Sequence, residues 1–239
     1  MSNAFVEIES VTKKYGDIIA VNDVSLMIGA GEIFSLVGRN GAGKSTLIRM
    51  IVGITEPDTG RLLICGEDLA HRLPTTKRHL GYLPEELLLY DRLTGIEYLQ
   101  LVAGLKEADP AAGHKELEFF ELAHAENQLI GGYSLGMRKK IGLAAAMIGA
   151  PEVLILDEPL NGLDVEMMRK LRLRIEEERR LGRTVLISSH VMSFVERLSD
   201  RVGVMKAGRL VALGTPAELR ERTQIKDGQF EDVFFKLAE

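Results

Sequence analysis

The sequence predicts an α/β fold built on a mainly parallel sheet, with an N-terminal antiparallel β subdomain and an inserted α-helical subdomain. Three observations predict it. Strand-like apolar runs alternate with helical segments at both ends of the chain, the pattern of a parallel sheet covered by helices. The run at 33–37 is nearly continuous in apolar residues and that at 153–156 wholly so, as strands buried on both faces read. Between them, from about 86 to 150, β-branched residues thin out and Leu, Ala and Glu dominate at helical spacing.

Taken in order, Phe5-Val6-Glu7-Ile8 and Val24-Ser25-Leu26-Met27-Ile28 alternate with period two, as half-buried strands do. The run 33–37 ends in glycine and leads into a helix over 44–52. Glu56-Pro57-Asp58-Thr59-Gly60 then turns the chain into a strand at 62–64. In the middle stretch, Leu117, Phe120, Glu121 and Leu122 carry a three-four rhythm that predicts helix, with breaks at Asp109-Pro110 and Gly131-Gly132. After Pro151, strands at 153–156 and 184–187 flank a long charged helix at 165–181. Residues 202–205 and 209–211 form a hairpin around Lys206-Ala207-Gly208. Thr215 caps a short helix with Pro216 in its first turn. Phe230, Val233, Phe234 and Leu237 make an i, i+3, i+4, i+7 stripe that predicts a tail helix docked on the protein's own surface. The expected organisation is one domain over 1–239, with a catalytic core at 1–85 and 151–220, a helical subdomain at about 86–150 and a helical tail at 221–239.

Composition narrows the class. The chain has 239 residues, 46% hydrophobic and 27% charged, which is ordinary for a globular domain. A net charge of -5 argues against a phosphate-binding surface for nucleic acid, so no nucleic-acid partner is expected. Cys65 is the single cysteine, so no intramolecular disulfide can form and a reducing, cytoplasmic compartment fits. The five histidines include no tight pair at metal-ligand spacing. Met1-Ser2-Asn3-Ala4-Phe5 does not read as a signal peptide. No apolar run reaches the ~18–20 residues that span a bilayer, so any membrane task needs spanning helices from another chain.

The chemistry is concentrated in three places. Gly38-Arg39-Asn40-Gly41-Ala42-Gly43-Lys44-Ser45 fits GxxxxGKS, with Thr46 following, between a buried strand and a helix. Its glycines let successive N–H groups converge on phosphate oxygens, and the helix N-terminus adds partial positive charge. Lys44 would neutralise the β- and γ-phosphates of a bound nucleotide, and Ser45 would ligate Mg²⁺. This is the signature of a P-loop nucleoside triphosphatase core. Asp157-Glu158 closes the apolar strand at 153–156, at the edge where parallel sheets bind ligands. Alternation along a strand gives the two acids different tasks: Asp157 holding Mg²⁺ directly or through water, Glu158 acting as general base toward the attacking water. His190, after Ser188-Ser189 at the end of the next strand, would bond the γ-phosphate and keep that water in line.

With these parts in this order, nearly the whole chain resembles the nucleotide-binding subunit of ABC transporters. The resemblance implies that Tyr15, upstream of Ala20-Val21, stacks on adenine, with Val21 in the nucleotide-binding set. It implies that Tyr133-Ser134-Leu135-Gly136-Met137 stands for the signature motif LSGGQ, so that Ser134, Gly136 and Met137 meet the nucleotide of an opposite subunit. Asn161-Gly162-Leu163-Asp164 matches the D-loop, whose Asp164 would couple the two sites. Two departures stand out. Leu135 and Met137 replace glycine and glutamine of the signature, and Glu85 in Gly81-Tyr82-Leu83-Pro84-Glu85 replaces the usual Q-loop glutamine, putting a further carboxylate where Mg²⁺ is held. Both variants, and the tail Phe230-Glu231-Asp232-Val233-Phe234-Phe235-Lys236-Leu237, are similar to the ABC-2 type exporter branch. The implied protein is an ATP-hydrolysing motor on the inner face of the cell membrane. It would work as a head-to-tail dimer, with itself or with a sibling ATPase, and with a separate polytopic membrane subunit. The alternative is a soluble ABC ATPase that moves no cargo. A guanine-specific GTPase is disfavoured because the Asn-Lys-x-Asp motif is missing.

Overall fold

The structure is a computed structural model that describes residues 4–225 and 228–238. The residues Met1–Asn3 of the N-terminal reading lie outside the described residues, as do positions 226, 227 and 239 of the tail.

Two sheets make the scaffold. The first joins β1 (Ala4–Tyr15), β2 (Ile18–Gly29), β4 (Thr59–Ile64) and β5 (Glu67–Asp68) in the order β2-β1-β4-β5, every pairing antiparallel. Along β2 the alternation predicted from Val24–Ile28 is realised: Val24, Leu26 and Ile28 are buried and Ser25 and Met27 exposed. The second sheet has the order β10-β9-β3-β8-β7-β6. Its members are β3 (Ile33–Gly38), β6 (Leu80–Leu83), β7 (Val153–Asp157), β8 (Thr184–Ser188), β9 (Arg201–Lys206) and β10 (Arg209–Gly214). All of its neighbours pair in parallel except the terminal β9–β10 hairpin. Strands β7 and β8 are buried at every position, which is why their sequences read as unbroken apolar runs.

Helix α1 (Lys44–Ile51) lies between the sheets and buries Leu47, Ile48, Met50 and Ile51. At roughly 1.5–3 kcal/mol for each fully buried aliphatic side chain, this short helix is held by its packing rather than by its own propensity. A short helix α2 (Leu69–Thr76) leads toward β6. The stretch expected as helical contains α3 (Gly95–Leu105), α4 (Ala112–Phe119) and α5 (Leu135–Met147). Then α6 (Val165–Arg180) and α7 (Met192–Leu198) follow β7 and β8. The expected helix at 165–181 stops one residue short, with Leu181 as its cap.

One helical expectation needs correction. Phe120 and Leu122 are buried, but neither lies in a helix: α4 ends at Phe119. Glu121 adopts φ 59, its N–H donates to Glu118 O at 3.1 Å and that of Leu122 to Leu117 O at 2.7 Å. This paired closure ends a helix, and it brings Leu122 back against Leu117, so the apolar rhythm continues without the helix. The break expected at Gly131-Gly132 is a tight turn over Ile130–Gly132.

The C-terminal part follows its sequence signals closely. Thr215 and Glu218 form a reciprocal cap for α8 (Pro216–Thr223). In α9 (Phe230–Ala238), Phe230, Val233 and Phe234 are buried against β9, α7 and α8, with Leu237 packed at the margin. The tail docks on its own chain.

Candidate functional site

The loop between β3 and α1 is fixed from both sides. Gly208 N donates to Ala42 O at 3.0 Å and Asn22 N to Gly208 O at 2.8 Å, which ties the loop to the β9–β10 turn and to β2. Gly43 has φ 102, and a Cβ there would lie 2.3 Å from Ala20 O. Only glycine fits, for conformation and for space. No side chain caps the start of α1 and no acid lies in its first turn, which leaves its leading N–H groups and dipole suited to an anion. Lys44 Nζ donates to Gly38 O at 2.8 Å.

Opposite this loop stand the ends of β7 and β8. Asp157 is 2% exposed, and burial pushes its carboxyl above the usual range, opposed by a hydrogen bond from Ser188 Oγ and by the Lys44 charge. The strand ends there. Glu158 turns to φ 47, with its N–H donating to Ser188 Oγ at 2.9 Å. Alternation alone would send the two acids to opposite faces; the left-handed turn delivers both to one cleft. His190 Nδ1 lies 2.8 Å from Glu158 Oε2, so the predicted histidine reaches the site through the predicted base.

A cleft of about 490 Å³ is lined by Asn40–Thr46, Glu85, Asp157 and Glu158, together with Ile18, Ile19, Ala20 and Ala207. Residues 40–46 of the phosphate loop and the carboxylates of Glu85, Asp157 and Glu158 therefore meet in one place. Other named residues lie elsewhere. Val21 is fully buried in the core between the sheets, and it is its neighbour Ala20 that faces the cleft, as strand alternation requires. Tyr15 is 47% exposed, outside that lining, with Lys13 Nζ 5.7 Å from its ring centre. Gly38 packs on the β9 backbone, where a Cβ would lie 2.7 Å from Met205 O. Arg39 lines a smaller hollow on the outer flank of the loop, with Met205 and Ala238. Ile18, Ile19 and Ala207 escaped the sequence reading. The signal was there in two consecutive exposed isoleucines beside a glycine turn, but only the fold brings that hairpin to the phosphate loop.

The signature segment points away from this cleft. Ser134 is exposed and caps α5, its Oγ accepting from Met137 N at 3.3 Å. A Cβ on Gly136 would stand 3.1 Å from Gly162 O, so this helix start and the 161–164 loop form one surface. Asp164 has a local task as well: it caps α6, accepting from Met167 N at 2.8 Å, and that bond holds its carboxyl below the usual range.

Comparison with known proteins gives a consistent result. The profile described as ABC transporter matches residues 21–161. The bacitracin transport ATP-binding protein BcrA of Enterococcus faecalis is 37% identical over 223 residues, 92% of this chain and 72% of that protein. The Nod factor export ATP-binding protein I of Burkholderia orbicola is 34% identical over 233 residues, 92% of this chain and 74% of its own. Among solved structures, one described as the ATP binding subunit of an ABC transporter superposes with a TM-score of 0.93 at 30% identity, covering 98% of this chain and all of that one.

Proposed function

This chain belongs to the ABC transporter family, and from that premise we propose that it is the ATP-hydrolysing motor of an exporter whose membrane-spanning part is a separate chain. The observation that carries the reading is the convergence of the Asn40–Thr46 loop with Asp157 and Glu158 across one cleft. The loop's N–H groups and Lys44 would hold the β- and γ-phosphates of ATP. Glu158 would take a proton from water as its oxygen bonds to the γ-phosphorus and the bond to the bridging β,γ-oxygen breaks, releasing ADP and phosphate. His190, 2.8 Å from the Glu158 carboxylate, would orient that base and the water. Ile18, Ile19 and Ala20 offer an apolar wall for the base, with Tyr15 beside them on the same hairpin.

The donor set suits Mg²⁺. The Ser45 hydroxyl and the Asp157 and Glu85 carboxylates are hard oxygens on one cleft, and this ion keeps few protein ligands alongside water and phosphate oxygens. When bound it would neutralise charge on the phosphates.

The surface of exposed Ser134 with half-buried Gly136 and Met137 would close over the nucleotide of a second subunit, giving a head-to-tail dimer with two shared sites. Among the described residues no helix is long and apolar enough to cross a membrane. Ile54 is exposed at a groove of about 340 Å³ lined also by Tyr82, Tyr98 and Val102, and the exposed Tyr90 ring lies 6.4 Å from that of Tyr98, a surface suited to an apolar partner. We place the membrane subunit there and the chain at the cytoplasmic face. The transport and export names of the relatives favour this over a soluble ATPase without cargo.

The test is a pair of variants. Glu158→Gln is expected to keep ATP affinity while turnover falls by roughly two to four orders of magnitude, the range for loss of a general base. Lys44→Ala is expected to lose the affinity itself. Near-normal hydrolysis by Glu158→Gln removes that residue from the chemistry, and unchanged nucleotide binding by Lys44→Ala removes the loop.

A further inference from the structure

Strand β8 is apolar from Val185 to Ile187, and its last residue, Ser188, is a hydroxyl with no exposed surface. It lies between β3 and β7, in register with Leu36 on one side and Asp157 on the other. A hydroxyl withdrawn from water inside a sheet is costly unless it is bonded. Both of its bonds run to the end of β7. Ser188 Oγ accepts from Glu158 N at 2.9 Å and donates to Asp157 Oδ1. The direction of this chain is fixed. A backbone N–H can only donate and a hydroxyl has a single proton, so that proton goes to the carboxylate. Ser189 beside it serves its own turn instead, its Oγ accepting from Val191 N at 3.1 Å.

One side-chain oxygen therefore reaches both acids of the cleft, each in a different way. At Asp157 it holds one carboxylate oxygen and so sets the rotation of the group, leaving the other oxygen outside that bond. At Glu158 it holds the main chain in the φ 47 turn that brings this carboxylate into the cleft. An alanine would continue the apolar run of β8 and do neither. We propose that Ser188 is a positioning residue for hydrolysis: its hydroxyl sets the Asp157 carboxylate and the Glu158 backbone together, so that the group facing Mg²⁺ and the base facing water arrive in one geometry. This rests on the ATPase reading above.

The test is Ser188→Ala in the full-length chain, which removes the oxygen and little else. Glu158 N keeps its second acceptor, Ser188 O at 3.2 Å, so the turn is expected to persist and the nucleotide-free protein to melt within about 5 °C of the parent. Affinity for a non-hydrolysable ATP analogue in EDTA, which reads the phosphate loop alone, is expected to be unchanged. The gain in that affinity on adding Mg²⁺ is expected to shrink about tenfold and kcat to fall by about 10–100-fold, the range for a partner that orients a metal-binding carboxylate. Ser188→Thr, which keeps the hydroxyl, is expected to restore both. Parent-like kcat in Ser188→Ala would overturn the proposal. So would a loss of analogue affinity in EDTA that matches the fall in kcat, because that marks a general loosening of the cleft. A threonine variant as stable as the parent yet as slow as alanine would overturn it as well, since the hydroxyl would then have no part in the effect. A parent without Mg²⁺-dependent hydrolysis removes the ATPase reading and this proposal with it, whereas an active parent matched by Ser188→Ala removes the proposal alone.

Discussion

Glu158 shows how much a single backbone angle can decide. At φ 47 a residue with a side chain is held in a region that costs about 1–3 kcal/mol, and the two bonds from its N–H to Ser188 help hold it there. The same locality stores electrostatic cost next door. Burial raises the Asp157 carboxyl, so this group favours the fold while it is protonated, and that contribution is lost as pH rises through its folded-state value. Asp157→Asn is accordingly expected to raise thermal stability by about 1 kcal/mol at neutral pH while Mg²⁺-dependent hydrolysis collapses. Melting curves and a phosphate-release assay on one preparation check both halves. These acids were legible because they close an apolar run; their arrival on a common face was not, because it depends on a turn that strand periodicity does not encode. The burial of Lys139, 4% exposed on α5, was illegible for a different reason: a lysine inside a helix reads as solvated, and only the packing of α5 on β6 buries it.

At the scale of elements, ionic struts supplement the continuous apolar core where the helical stretch meets α6. Arg174 of α6 bonds Glu178 at 2.7 Å on its own helix and Glu116 of α4 at 2.9 Å, and Arg183 adds a second bond to Glu178. Nothing in the sequence pairs residues 58 positions apart, so this clamp was invisible there. A second tie joins α3 to the end of α5: Lys106 Nζ donates to Ile148 O at 2.9 Å, and burial pushes the ammonium down to about 8. A depressed lysine leaves the unfolded chain holding more protons between pH 8 and 10.5, so stability contributed at this site rises across that window. The parent is expected to gain denaturant resistance relative to Lys106→Met as pH climbs through it. Urea midpoints taken at several pH values decide, and parallel curves would mean that Lys106 titrates freely. Element identity itself was well signalled: buried strands, the Thr215 cap and the tail stripe all appear where their local patterns put them. The overreach at Phe120 and Leu122 came from treating apolar spacing as proof of helix when a left-handed residue stood between them.

For the whole molecule, the two halves of the expected reaction lie on different surfaces. The phosphate loop and carboxylates face one cleft, while Ser134 and Gly136 lie with the 161–164 loop on another. Sequence order made both segments recognisable, but their separation is a property of the folded chain. In Glu158→Gln, ATP with Mg²⁺ is expected to convert monomer to dimer, and adding Ser134→Arg is expected to abolish that shift. Sedimentation velocity reads it, and a dimer that forms equally well without nucleotide would overturn the shared-site arrangement. The docked tail has a practical corollary. Ala238 borders the same hollow as Arg39–Ala42, so the last turn of α9 buttresses the outer flank of the phosphate loop. Loosening that helix is therefore a way to disturb the nucleotide loop from behind, without touching the cleft.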